Sequence, residues 1–148
     1  MPKKSKNKLI EIIFIIILFI ASSFILLFPL EASHYWDESI YLQHAEIFSS
    51  GKNNYSELYY RPPFLSLAIS FGYLFWHNLY MAQIVTTLIN VLGIVCLYFL
   101  GKRLFNWQTG AIASILLMLS PFCIIWSHFV LTDMPSLSFM IILRIFDK

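Results

Sequence analysis

Asp37 and Glu38 stand side by side in the stretch Tyr35-Trp36-Asp37-Glu38-Ser39-Ile40-Tyr41-Leu42-Gln43, just beyond a hydrophobic run long enough to cross a bilayer. A further acid, Asp133 in Leu131-Thr132-Asp133-Met134-Pro135, follows another such run. A single acid at such a place can simply cap a helix. Several of them facing a protein interior mark a substrate or ion pathway, because burying a charge in lipid costs roughly 2.5–3.5 kcal/mol or more. As a general base, one carboxylate could take the proton of an incoming hydroxyl. Arg61 supplies the opposite charge, held near the apolar surface by Pro62 and Pro63, whose rings fix φ. A guanidinium there can grip phosphate through two parallel N–H bonds, or it can snorkel to lipid headgroups. Tyr55, Tyr59 and Tyr60 beside it can stack on a sugar ring or join an interfacial aromatic belt.

Metal and redox chemistry have little to work with. His34, His44, His77 and His128 show no tight ligand spacing. His34 precedes Asp37 by three residues, but no further ligands can be named for a shared metal. Cys96 and Cys123 both fall inside apolar runs and are expected to pack as small apolar side chains. Asn54-Tyr55-Ser56 fits the N-glycosylation pattern, a short motif that often arises by chance.

The elements that must position these groups lie in a membrane. With 59% hydrophobic and only 12% charged residues among 148, the chain is too apolar for a soluble domain, where about 25% charge is usual. Its mean hydropathy of +0.73 agrees. A net charge of +2 does not point to nucleic acid. Its placement is more telling: Lys3, Lys4, Lys6 and Lys8 crowd the start, directly before an apolar run. That is the usual signature of a cytoplasmic N-terminus.

Spans are expected over about residues 9–30, 79–100 and 110–130, with an incomplete fourth from about 135. A cleavable signal peptide is the rival for the first, since Ala21-Ser22-Ser23 offers small residues, but the apolar run continues well past that point. Residues 31–62 form the first external loop, containing a short interfacial helix from Ile40 to Ser50 with Ile40, Ile47 and Phe48 on one face and Gly51 at its C-cap. The apolar stretch 63–76 is expected to be juxtamembrane or re-entrant. Its 14 residues reach only about 21 Å as a helix. A crossing there would also put Lys102 and Arg103 outside and Asp133 inside, against the positive-inside bias. Asp37, Glu38 and Asp133 therefore fall on one side, the extracytoplasmic one. The segment after Pro135 is too short for a full span, so the sequence reads as a truncated or split piece of a longer polytopic protein.

In order, Trp36-Asp37-Glu38-Ser39, Ala45-Glu46-Ile47-Phe48-Ser49-Ser50-Gly51, Tyr60-Arg61-Pro62-Pro63-Phe64, Gly101-Lys102-Arg103-Leu104-Phe105 and Leu131-Thr132-Asp133-Met134-Pro135 resemble the N-terminal part of GT-C superfamily membrane glycosyltransferases. The nearest branch is that of the protein mannosyltransferases and lipid A aminoarabinose transferases. The resemblance covers roughly residues 9–146 and corresponds to the opening third or less of a family member. It implies an all-α, polytopic membrane enzyme that moves a sugar from a polyprenyl-phosphate donor to an acceptor protein or glycolipid, with inversion at the anomeric carbon. It also implies a role for each candidate. Asp37 would be the base, Glu38 its neighbour, Asp133 the acid of a second external loop, and Arg61 the contact to the carrier phosphate, where many relatives have lysine. No obligatory cofactor is implied, since some relatives bind a divalent metal and others do not. The remainder of the enzyme could be encoded downstream. The competing reading is a short non-catalytic membrane protein that serves as an assembly or interaction module.

Overall fold

The structure, a computed structural model, describes residues 3–28, 36–51, 61–127 and 129–146, with side chains from Lys8 onward. Among these residues there are helices and no strand: α1 (Lys3–Leu27), α2 (Trp36–Ser50), α3 (Pro63–Tyr73), α4 (Leu79–Leu104), α5 (Trp107–Met118), α6 (Pro121–Trp126) and α7 (Asp133–Phe146). The fold is the all-α membrane type that the apolar runs call for.

Two helices have spanning length and composition, α1 over Lys8–Leu27 and α4 over Leu79–Leu104. Their 20 and 26 residues rise about 30 and 39 Å, enough for a hydrocarbon core of about 30 Å. The pattern of exposure fits lipid as solvent. On α1, Ile10, Ile13, Ile17, Ile20 and Phe24 are exposed, whereas Ser22 is fully buried and bonds back to the Leu18 carbonyl at 2.7 Å. On α4, Leu88, Leu92 and Phe99 face out while Gln83, Thr86, Thr87 and Asn90 face in. Polar residues turned inward and leucines turned outward are what a bundle in hydrocarbon requires.

The hairpin between α4 and α5 depends on two glycines. A Cβ placed on Gly101 would lie 2.7 Å from the Gly110 Cα, so the two backbones touch there. Close approach through small residues is a main source of helix association in membranes. Asn106 makes the turn, its Oδ1 accepting the Thr109 N–H at 2.9 Å and so capping α5.

The apolar run from 110 to 130 is not one helix but two. Pro121 opens α6, and Ser120 before it is extended, with φ −62° and ψ 126°. The cause is steric: the proline ring clashes with a helical residue before it and offers no N–H to the preceding turn. The two pieces still run antiparallel to α4. Gly110 lies against Gly101 at one end, and at the other the Ser127 carbonyl accepts the Thr87 hydroxyl at 3.2 Å. The return helix α7 has Pro135 in its first turn, a place where its missing N–H costs nothing. It closes on α4 at Gly93, where a Cβ would meet the Ser138 Cα at 2.9 Å. Arg103 donates to the Ile145 carbonyl at the far end.

Helices α2 and α3 form a second, smaller cluster over the start of α4, in which Tyr41, Ala45, Leu65, Ile69, Ala82 and Val130 are buried together. The Ser66 hydroxyl donates to the Tyr41 carbonyl at 3.1 Å, joining α3 to α2. Gly51, at φ +65°, ends α2 in the left-handed conformation that its C-cap position demands. Helix α3 stops at Tyr73, short of the 63–76 stretch that is apolar in sequence, and the Gly72 carbonyl accepts the N–H groups of both Phe75 and Trp76. Asn78 then caps α4 by accepting the Met81 N–H at 2.9 Å.

An ion pair stands at each end of this bundle. Lys102 Nζ donates to Glu11 Oε2 at 2.5 Å, tying α1 to α4 beside Arg103. At the other end the first turn of α2 meets the segment leading into α7.

Candidate active site

Helix α2 begins at Trp36, four residues before the Ile40 start that hydrophobic patterning suggests. Asp37 and Glu38 therefore lie in its first turn, where unpaired N–H groups and the helix dipole favour negative charge. Successive residues on a helix diverge by about 100°, and here that divergence separates two tasks. Glu38 points inward and is fully buried. Its Oε1 accepts the backbone N–H of Val130 at 2.5 Å, a contact between residues 92 apart in sequence. Asp37 points outward, with 47% of its side chain exposed.

Asp37 Oδ1 accepts a hydrogen bond from Arg61 Nη2 at 2.5 Å. The arginine is aimed by the two prolines on its C-terminal side: Pro62 holds φ −58° and ψ 127°, and Pro63 opens α3. Its side chain is 37% exposed, so the ion pair is open to a ligand. A pair this exposed holds itself together by only ~0–1 kcal/mol. A competing anion that offers two oxygens to the guanidinium can displace it.

One turn further along α2, the Tyr41 hydroxyl lies 3.2 Å from the Thr132 hydroxyl. Asp133 is the first residue of α7, next to Thr132, and is exposed. The Thr132 carbonyl accepts the Ser136 N–H at 2.8 Å, which starts the helix. The Glu38–Val130 and Tyr41–Thr132 contacts thus bring the second acidic loop onto the first, and all three acids stand at one end of the bundle.

Beside Arg61 opens an apolar groove of about 270 Å³ between α3 and α7, lined among others by Pro62, Phe64, Leu65, Pro135, Phe139 and Leu143. Phe64 and Phe139 meet edge to face across it, with ring centroids 4.5 Å apart. The groove is continuous with Thr132, so a polar head and an apolar tail could be held side by side.

Asp37, Glu38, Arg61 and Asp133 are all placed in this region. Tyr59, Tyr60, Tyr55, His34 and the Asn54 glycosylation pattern lie outside the described residues. Sequence reasoning did not single out Tyr41 and Thr132. The available signals were their spacings, Tyr41 three residues after Glu38 and Thr132 next to Asp133. Among the described residues no three His, Cys, Asp or Glu side chains gather as a metal site, and no residue is assigned to a metal.

Residues 60–146 match the family model described as dolichyl-phosphate-mannose-protein mannosyltransferase. The match takes in Arg61, the α3–α7 groove and Asp133, while Asp37 and Glu38 precede it. No curated protein and no solved structure matches the chain.

Proposed function

Because the chain belongs to the dolichyl-phosphate-mannose-protein mannosyltransferase family, a family of membrane glycosyltransferases, we propose that its acidic end transfers a sugar from a polyprenyl-phosphate donor to a hydroxyl of an acceptor protein or glycolipid, with inversion. The observation that carries this reading is the half-exposed Asp37–Arg61 pair, whose arginine directly precedes Pro62 in the wall of an apolar groove. It offers a base, a phosphate grip and a place for a lipid tail within one small region.

In the resting site Arg61 holds Asp37. When the carrier's phosphate arrives it takes the guanidinium, and Asp37 is released toward the acceptor. The acceptor hydroxyl oxygen then attacks the anomeric carbon from the face opposite the phosphate. The sugar–oxygen bond to phosphate breaks, its electron pair leaves with the polyprenyl phosphate, and the hydroxyl proton passes to Asp37. Arg61 stabilises the negative charge that grows on the leaving phosphate. Glu38 works at one remove, holding the 130–133 segment and so Asp133 against α2. Asp133, exposed at the start of α7, lines the acceptor side of the pocket.

The membrane sides are set by charge. Lys102, Arg103 and the N-terminal lysines belong to the end opposite the acids, and basic residues favour the cytoplasm. The N-terminus is then cytoplasmic, the chain crosses several times, and transfer occurs on the extracytoplasmic face. The test is Asp37→Asn, assayed in membranes carrying the protein with dolichyl-phosphate mannose as donor. Transfer should fall by about 10²-fold or more while insertion is unchanged. Wild-type turnover in that variant removes Asp37 from the role of base.

A further inference from the structure

At the end of the bundle away from the acids, α1, α4 and α5 enclose a cavity of about 180 Å³ lined by Ile10, Glu11, Phe14, Tyr98 and Trp107. One carboxylate and three aromatic rings around a small space make a cation box, since ring faces and carboxylate both attract an ammonium. Phe14 and Tyr98 form one wall, their ring centroids 5.3 Å apart. Tyr98 is fully buried, and its hydroxyl has no hydrogen-bond partner among the described residues. On the rim, Lys102 is paired to Glu11, with 38% and 28% of their side chains exposed.

A simple cation in this box would meet the charge of Lys102. A simple anion on Lys102 would meet that of Glu11. A zwitterion carrying phosphate and ammonium a few bonds apart satisfies both, exchanging the internal ion pair for two matched pairs. The position identifies its source: the cavity sits where both helices of spanning length end, beside Lys8 and Arg103 and with Trp107 at its edge, the level of lipid headgroups. Glu11 adds chemical selection, because its carboxylate can accept a hydrogen bond from a primary ammonium, whereas a trimethylated one has no N–H to donate.

We propose that this cavity binds the headgroup of an ethanolamine-type phospholipid, with the ammonium between Glu11 and the rings of Phe14, Tyr98 and Trp107 and the phosphodiester on Lys102. No step of sugar transfer requires it, so it stands or falls apart from the acidic site.

The test is native mass spectrometry of the full chain in detergent, titrated with equimolar phosphatidylethanolamine, phosphatidylcholine and phosphatidylglycerol of identical acyl chains. Phosphatidylethanolamine should be retained at least about fivefold over phosphatidylglycerol, the scale expected of one desolvated cation–π and charge contact. Glu11→Gln should bring the two near parity, as should Trp107→Leu, a change at a half-exposed position. Glu11→Gln should also weaken the preference for phosphatidylethanolamine over phosphatidylcholine, since it removes the charge that accepts from the primary ammonium. Equal retention of the lipids by the wild type, or an unchanged preference in Glu11→Gln, overturns the proposal. Retention of free phosphoethanolamine as tight as that of phosphatidylethanolamine overturns its assignment to a lipid.

Discussion

Glu38→Gln tests the division of labour between the two adjacent acids. The substitution keeps size and shape and leaves an oxygen able to accept the Val130 N–H, but it removes the charge from a bond that is 2.5 Å long and fully buried. A hydrogen bond to a charged group contributes about 1.5–3 kcal/mol and a neutral one about 0.5–1.5. The loss should therefore be about 1–1.5 kcal/mol. Because the contact joins segments 92 residues apart, the loss should appear at the far partner. Amide exchange over residues 129–133, measured by mass spectrometry in detergent, should accelerate about 5–10-fold, and the unfolding temperature should fall by about 2–6 °C. Transfer activity should drop in step with the loosened loop rather than vanish. Glu38→Ala, which strands a buried N–H, should cost about 1–3 kcal/mol and exchange faster still. If Glu38→Gln abolishes transfer while exchange at Val130 stays at the wild-type rate, Glu38 acts on the substrate itself and the strut reading fails.

Arg61→Gln should raise KM for the lipid-phosphate donor about 10–100-fold, the scale of a lost charged hydrogen bond, with stability changed by no more than ~1 kcal/mol because the ion pair to Asp37 is exposed. Steady-state kinetics with varied donor and a thermal melt separate those two effects. Gly110→Leu should destabilise the α4–α5 hairpin by about 1–3 kcal/mol or more, since its side chain would press on the Lys102 backbone nitrogen, 2.8 Å from where a Cβ would stand; a lowered melting temperature in detergent checks it. Asn78→Ala should cost about 1 kcal/mol through loss of the α4 cap, and Asn78→Asp should restore most of it in the same melt.

Much of this arrangement can be read from residue order, and the exceptions have identifiable causes. The run from Leu79 is a helix to Leu104 because nothing in it interrupts an apolar helical pattern. The run from 110 to 130 looks equally continuous by hydropathy. There Pro121 outweighs hydropathy, because its effect is steric and local while a hydropathy window averages it away. Helix α2 is harder to delimit from its residues. An apolar face through Ile40, Ile47 and Phe48 suggests a start at Ile40, yet the buried set is Glu38, Tyr41, His44, Ala45 and Ile47. Glu38 and His44 are polar residues used on an inward face, so patterning by hydrophobicity cannot detect them. The pairing of Asp37 with Arg61 was foreseeable only as a complement of charge, since their separation of 24 positions leaves the geometry open. That the acids share one end was foreseeable from the basic residues alone, and the contacts of Glu38 and Tyr41 give that end its shape.

The glycine contact between α4 and α5 joins residues nine positions apart in the chain, whereas the Glu38 strut joins residues 92 apart. Contacts between near neighbours lose little chain entropy on closing and form early, and distant ones form late. As the polypeptide emerges from the ribosome, the contact of Glu38 with Val130 must wait until residue 130 has been made. The α4–α5 hairpin can assemble as soon as its own turn is inserted. The acidic site is thus completed after the α4–α5 hairpin and before α7 has closed along α4 through Ser138 and Ile145.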